Sequence, residues 1–172
     1  MPVDSEIMRE YLSRIAVGPA GSRDLSESEA YDAMRLCLSR EASDVQIGVF
    51  LIAQRMKRET RDENVGFLRA LTDASIVVPA PTQRVVALGD PYDGFKKVPH
   101  YAPVVAALLG AVGIPTLVHS ARSVPPKHGY THRVVLEAMG LDLGVGDGAE
   151  SVTRAAQRLV ERGVAYVDME DF

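Results

Sequence analysis

Apolar residues at the start of the chain recur with helical spacing. Ile7, Met8, Tyr11, Leu12 and Ile15 share one face of a helix over residues 4–16, with Asp4 placed to cap it and Gly18, Pro19 and Gly21 to break it. Three further helices are marked by their first turns. A Ser or Thr followed three residues later by Glu or Gln satisfies two orphan backbone N–H groups reciprocally. This capping box occurs as Ser26 with Glu29, Ser43 with Gln46 and Thr60 with Glu63, and predicts helices that run to Ser39, Met56 and Ala74. Together they predict an all-helical bundle domain over residues 1–75. The helix from Ser43 carries Val45, Ile47, Val49, Phe50, Ile52, Ala53 and Met56 on more than one side. Such a helix sits at the centre of its bundle, or packs on its own core and on a partner subunit as well.

The pattern changes after Ala74. Residues 76–83, IVVPAPTQ, hold two prolines and no helical period, and predict a linker. A β-branched run from Arg84 to Leu88 leads into a loop rich in Gly, Asp and Pro, Gly89 to Lys97. An apolar helix from Pro99 to Val112 follows, stopped by Gly113, then a second apolar run, Ile114 to Val118, and a polar loop, His119 to Gly129. Strand, helix and strand in this order predict a parallel βαβ unit, whose ligands bind in the loops at the carboxyl ends of the strands. Thr131 to Met139 reads as a short helix, Leu141 to Gly148 as a glycine-rich turn, Ala149 to Arg162 as a helix ended by Gly163, and Val164 to Val167 as a third strand. The expected fold class is α/β: an N-terminal all-helical bundle, then the first half of an α/β domain with a small parallel sheet over residues 84–172. Three strands leave an open edge, which proteins normally pair or cover. The expectation is a fragment, or a sheet that another chain completes.

Composition narrows this picture little. The 172 residues are 47% hydrophobic and 24% charged, ordinary for a globular protein, and the net charge of −4 makes no global case for nucleic acid. A lone cysteine, Cys37, leaves no internal disulfide and fits a reducing compartment. No apolar signal-peptide core opens the chain and no run reaches membrane-spanning length, so the expected location is the cytoplasm, with no membrane partner.

Candidate chemistry lies in the two loops. Asp90 and Asp93 suit magnesium or a ribose hydroxyl at a strand's carboxyl end, and equally suit a turn, since Asp beside Pro and Gly is a common turn former. Lys96 and Lys97 suit phosphate, or a solvated surface; the helix after Pro99 attracts anions at its N-terminus whatever its side chains. Arg122 offers a planar guanidinium and Lys127 a point charge, with Ser123, His119 and His128 close by in the chain. The histidines at 100, 119, 128 and 132 show no zinc spacing with the cysteine, and no Ser-His-Asp signature is visible. Gly146 to Gly148 lacks the strand-then-helix context of a phosphate loop.

Two stretches carry a family resemblance. The first is Ser43, Asp44, Gln46, Ile47, Phe50, Leu51, Ala53, Arg55, Met56, Lys57, Glu59 and Thr60. It resembles the S-D-x-Q-I-x-x-F-L-x-A-x-R-M-K-x-E-T motif in the N-terminal helical domain of the anthranilate phosphoribosyltransferase family, a domain that also heads the pyrimidine nucleoside phosphorylases. The second is V-H-S-A-R-S-V-P-P-K-H-G, where His119, Arg122, Ser123, Val124, Lys127 and Gly129 match that family's K-H-G-N-R-S-V-S-S-K-x-G. The resemblance runs from about residue 5 to residue 169. It implies transfer of a phosphoribosyl group from phosphoribosyl pyrophosphate to an amine, with magnesium, in a homodimer formed through the N-terminal helices. It also implies a phosphate or substrate site drawn from Gly89, Asp90, Asp93, Gly94, Lys97, His119, Arg122, Ser123 and Lys127.

The departures fall where the family handles phosphate. Its GTGGD loop stands here as Gly89-Asp90-Pro91-Tyr92-Asp93-Gly94, in which Pro91 has no N–H and Tyr92 is bulky. Its lysine before the histidine is Val118, and its asparagine is Ala121. Its acidic magnesium pair lies beyond the matched stretch. The expectation is a divergent member, inactive alone, with no magnesium held by this chain and no assigned catalytic residue. The DPYDGFKKVPH stretch also resembles divergent branches of the family, one of which binds nucleic acid. The alternative is therefore a non-enzymatic nucleic-acid-binding protein on the same fold.

Overall fold

The computed structural model describes residues 4–18, 20–80, 82, 84–89, 99–122, 130–141, 143, 144 and 146–171. It divides into two compact units, Met1–Ser75 and Ile76–Phe172. The first contains α1 (Glu6–Ile15), α2 (Glu27–Leu38), α3 (Asp44–Lys57) and α4 (Arg61–Ala74). Helix α1 packs on α3, and α2 on α4. Their shared core includes Met8, Ile15, Leu25, Leu36 and Phe50.

All three capping boxes form, with side chain and backbone bonded in both directions at Ser26/Glu29, Ser43/Gln46 and Thr60/Glu63. All three boxes also reach beyond their own helices, and at the first of them Glu29 accepts from Arg14 of α1. The buried Gln46 amide accepts from the Ser5 N–H (2.9 Å) and donates to the Ser5 carbonyl (2.8 Å), which fastens the start of α3 to the start of α1. This places Ser5, not Asp4, at the N-cap of α1, and Asp4 instead accepts from the Ser43 hydroxyl at 2.7 Å. Glu63 is wholly buried and accepts from Leu25 N–H (2.9 Å), Thr60 N–H (2.8 Å) and Lys57 Nζ (2.7 Å). A buried carboxylate survives only with such partners. In this chain Gln46, Lys57 and Thr60 of the helical motif are thus builders of the bundle.

Helix α3 is not the centre of the bundle. It buries Gln46, Phe50, Ala53 and Gln54 and leaves Val45, Val49, Ile52 and Met56 exposed, four apolar residues at helical spacing on one face.

The second unit runs β1 (Val86–Gly89), α5 (Ala102–Ala111), β2 (Thr116–Ser120), α6 (His132–Ala138), α7 (Gly148–Arg162), β3 (Val164–Asp168) and a 3-10 turn, Met169–Asp171. The strands form one parallel sheet in the order β1-β2-β3. Ala106, Val118, Leu136 and Tyr166 make one core cluster, and Ala155, Leu159, Ala165 and Val167 another. Gly163 turns the chain from α7 into β3 with φ of +72°, a left-handed cap that glycine adopts without a Cβ clash. Strands β2 and β3 run further than the apolar runs suggested, to Ser120 and Asp168. Polar residues occupy those last positions, so His119 belongs to β2 and not to the loop after it. No described helix is long and apolar enough to cross a membrane.

Candidate functional site

The carboxyl ends of the three strands lie level with one another. Gly89 pairs with His119, which pairs with Val167, and Ser120 pairs with Asp168. Crossovers return the chain to the opposite end of the sheet, so the polar residues gathered here come from segments far apart in sequence.

Asp168 is the hub. It is wholly buried. Its Oδ1 accepts from the Tyr166 hydroxyl at 2.7 Å. Its Oδ2 accepts from Arg122 Nε at 3.1 Å and from Arg133 Nη1. Arg122 Nη2 also donates to Asp171 Oδ1 at 2.6 Å, and the Arg122 backbone N–H donates to Glu170 at 3.1 Å. Arg133 Nε donates to Glu137 at 2.8 Å. The Tyr166 hydroxyl lies 3.1 Å from the Ser120 hydroxyl. Burial first, and the neighbouring Asp168 carboxylate after it, push the Tyr166 phenol above its ordinary pKa, so it stays a neutral donor.

A second group of residues is imidazole. His132 opens α6 and is buried; its Nδ1 lies 2.8 Å from Nε2 of His100, which precedes α5. One ring of such a pair donates and the other accepts. His119 packs its ring over Gly89, where an added Cβ would come within 2.8 Å of Cε1. Burial, with a smaller contribution from His132, holds His119 below its ordinary pKa of 6.5, so it is neutral at pH 7.

Of the residues expected at a phosphate site, the structure brings Gly89, His119 and Arg122 to this one end of the sheet. Asp90, Asp93, Gly94, Lys97, Ser123 and Lys127 lie outside the described residues, as do Lys96 and His128. Among the described residues no cluster of three or more His, Cys, Asp or Glu is placed to hold a metal ion. Asp168, Arg133 and Tyr166 were missed by sequence reasoning, and His100 and His132 were weighed only as metal ligands and not as a hydrogen-bonded pair. The available signal was Tyr166 and Asp168, polar groups two apart at the end of an apolar strand and hence on one face of it.

Comparison with known proteins places these features. Residues 9–75 match the model of the glycosyl transferase family helical bundle domain. The chain is 32% identical over 161 residues to an anthranilate phosphoribosyltransferase of Bacillus caldotenax, an alignment that covers 94% of this chain and 62% of that protein. It is 35% identical over 147 residues to the anthranilate phosphoribosyltransferase of Methanothermobacter marburgensis, covering 84% of this chain and 40% of the relative. The crystal structure of anthranilate phosphoribosyltransferase (TrpD) from Thermus thermophilus superimposes with a TM-score of 0.74 at 22% identity, over 98% of this chain and 46% of that one. At that identity the superposition shows the fold. The chain spans about half the length of the curated relatives it matches.

Proposed function

We propose that the chain is an anthranilate phosphoribosyltransferase-like protein and that its α/β unit binds the phosphate groups of a phosphoribosyl pyrophosphate donor at the carboxyl end of the sheet; the similarity to the curated relatives supports this reading. The observation that carries this reading is the placement of Gly89 and His119 on adjacent strand ends, with Arg122 two residues past the end of β2. In open parallel sheets that edge is where ligands bind. Arg122 supplies the charge-assisted donor suited to phosphate. His119, neutral and packed on Gly89, supplies a polar ring beside it.

In the family the transferred group is phosphoribosyl and the acceptor an amine. Departure of pyrophosphate is then assisted by preorganised donors aimed at the developing charge. Pro91 gives no backbone N–H to such an array, and Val118 and Ala121 stand where the family has lysine and asparagine. Val118 is wholly buried in the core between sheet and helices, so its position presents no side chain to a ligand. We therefore infer a divergent member that binds the donor and does not transfer it by itself.

The test is calorimetric titration with phosphoribosyl pyrophosphate and with inorganic pyrophosphate, beside an assay of pyrophosphate release with anthranilate present. Binding without release is the expected result. Robust release would overturn the inactive reading, and absence of binding would overturn the phosphate site.

We also propose a homodimer through the first unit. Its support is the exposed face of α3 formed by Val45, Val49, Ile52 and Met56.

A further inference from the structure

We propose that Asp168 is a positioning residue for the Arg122 guanidinium, an inference that rests on the phosphate-binding reading above. Arg122 directs one edge of its guanidinium, Nε and Nη2, at two hydrogen-bonded carboxylates, Nε to Asp168 at 3.1 Å and Nη2 to Asp171 at 2.6 Å, with the fully exposed Asp147 a more distant 3.8 Å from Nη2. Nη1 carries neither contact. The side chain is 43% exposed, while those of Asp168 and Asp171 are 0% and 2% exposed. One edge of the guanidinium is therefore fastened to buried groups, and the side chain as a whole still meets water.

This arrangement addresses a specific cost. A free arginine side chain carries rotamer entropy, part of which is lost when it closes on a ligand. An arginine already held by its side edge has surrendered that freedom during folding, and binding is strengthened by the difference. Asp168 can act in this way because it is itself immobile. Arg133 and the Tyr166 hydroxyl occupy its other acceptor sites, and Tyr166 is in turn within hydrogen-bond distance of Ser120 on β2. Asp168 thus joins Arg122, just past the end of β2, to Arg133 in the first turn of α6, eleven residues later in the chain.

The test is a double-mutant cycle read by titration with inorganic pyrophosphate, well below the melting transition of each variant. Arg122→Lys keeps the charge but has no side edge to fasten. Asp168→Asn is expected to weaken binding about tenfold, or about 1.4 kcal/mol, when Arg122 is present, and to change nothing when lysine replaces it. Asp171→Asn removes the other half of the edge from the 3-10 turn, outside the sheet, and is expected to show the same dependence on Arg122 even if Asp168→Asn does not fold. Equal weakening in both backgrounds would mean that the aspartates act through general stability, and would overturn the proposal. So would unchanged affinity in both aspartate variants, with the phosphate site itself left standing. Failure of the unmodified protein to bind pyrophosphate would overturn that site and the positioning role together.

Discussion

Gly89 and His119 are cross-strand partners, and the imidazole lies where a side chain at position 89 would have to go: a Cβ there would stand 2.8 Å from Cε1 and 3.2 Å from Nε2. Gly89 is not among the glycines with positive φ. Its missing side chain serves space, not backbone freedom. Gly89→Ala is therefore expected to displace the His119 ring at a cost of about 1 kcal/mol, the lower end of overpacking penalties because a ring can swing. The measurement is the His119 imidazole resonance by NMR with the melting temperature alongside. An unmoved resonance would show that the ring does not depend on the glycine.

The same histidine gives a pH dependence of known sign. Burial and His132 hold its folded-state pKa below the ordinary 6.5, so below pH 6.5 the unfolded chain takes up a proton that the folded one does not. Its contribution to stability is complete above pH 6.5 and declines as pH falls from there toward the folded pKa. Chemical denaturation at pH 7.5 and pH 5.5 is expected to show this decline in the native protein and a smaller one in His119→Gln. Equal declines in the two proteins would assign it to other groups.

What could be read in advance follows the range of each interaction. The capping boxes join residues three apart, and all three form where the pattern put them. Gln46 and Ser5 are 41 residues apart, and nothing local in the chain discloses that one brackets the other. Arg122 could be singled out from its motif, but its partners Asp168 and Asp171 stand 46 and 49 residues away. The strands looked short because their last residues are polar, and those residues are the ones gathered at the candidate site. Helix α3 stayed open between two readings for a different reason: apolar residues on two faces do not tell a core from an interface, and only the reading as the central helix is set aside by its exposed face.

Lys57 and Glu63 form the buried ion pair of the bundle, their side chains 7% and 0% exposed. Burial alone would raise the Glu63 pKa. Donation from the Leu25 N–H, from Lys57 and from the Thr60 N–H outweighs it and leaves the group below 4.5. Its stabilisation is therefore present above pH 4.5 and lost as pH falls through the folded pKa. Lys57→Ala leaves the carboxylate buried without its ammonium, which is expected to cost about 3–5 kcal/mol in denaturant titration and to raise the pH of acid unfolding. Adding Glu63→Gln removes the uncompensated charge, so the double variant is expected to be less destabilised than the sum of the singles. Simple additivity would mean that the two side chains act independently.

The exposed face of α3 leads to a prediction about assembly. Val45 and Met56 are 75% and 76% exposed, with Val49 and Ile52 between them on the same face. Eleven residues of helix span about 16 Å, so this is a continuous apolar stripe in water and not a scatter of single exposed residues. A second copy can cover it by two-fold symmetry, in which one patch meets itself. Sedimentation equilibrium is expected to return twice the 18.6 kDa chain mass, and Val49→Glu with Ile52→Glu to return the single mass. Because these side chains are exposed within the unit, each substitution is expected to change its intrinsic stability by no more than about 0.5 kcal/mol. Leu68→Glu, at a 64% exposed position on α4, serves as the control and is expected to leave the dimer intact. A native protein that sediments as a monomer at high micromolar concentration would remove the dimer. Dissociation by Leu68→Glu alone would move the interface from α3 to α4.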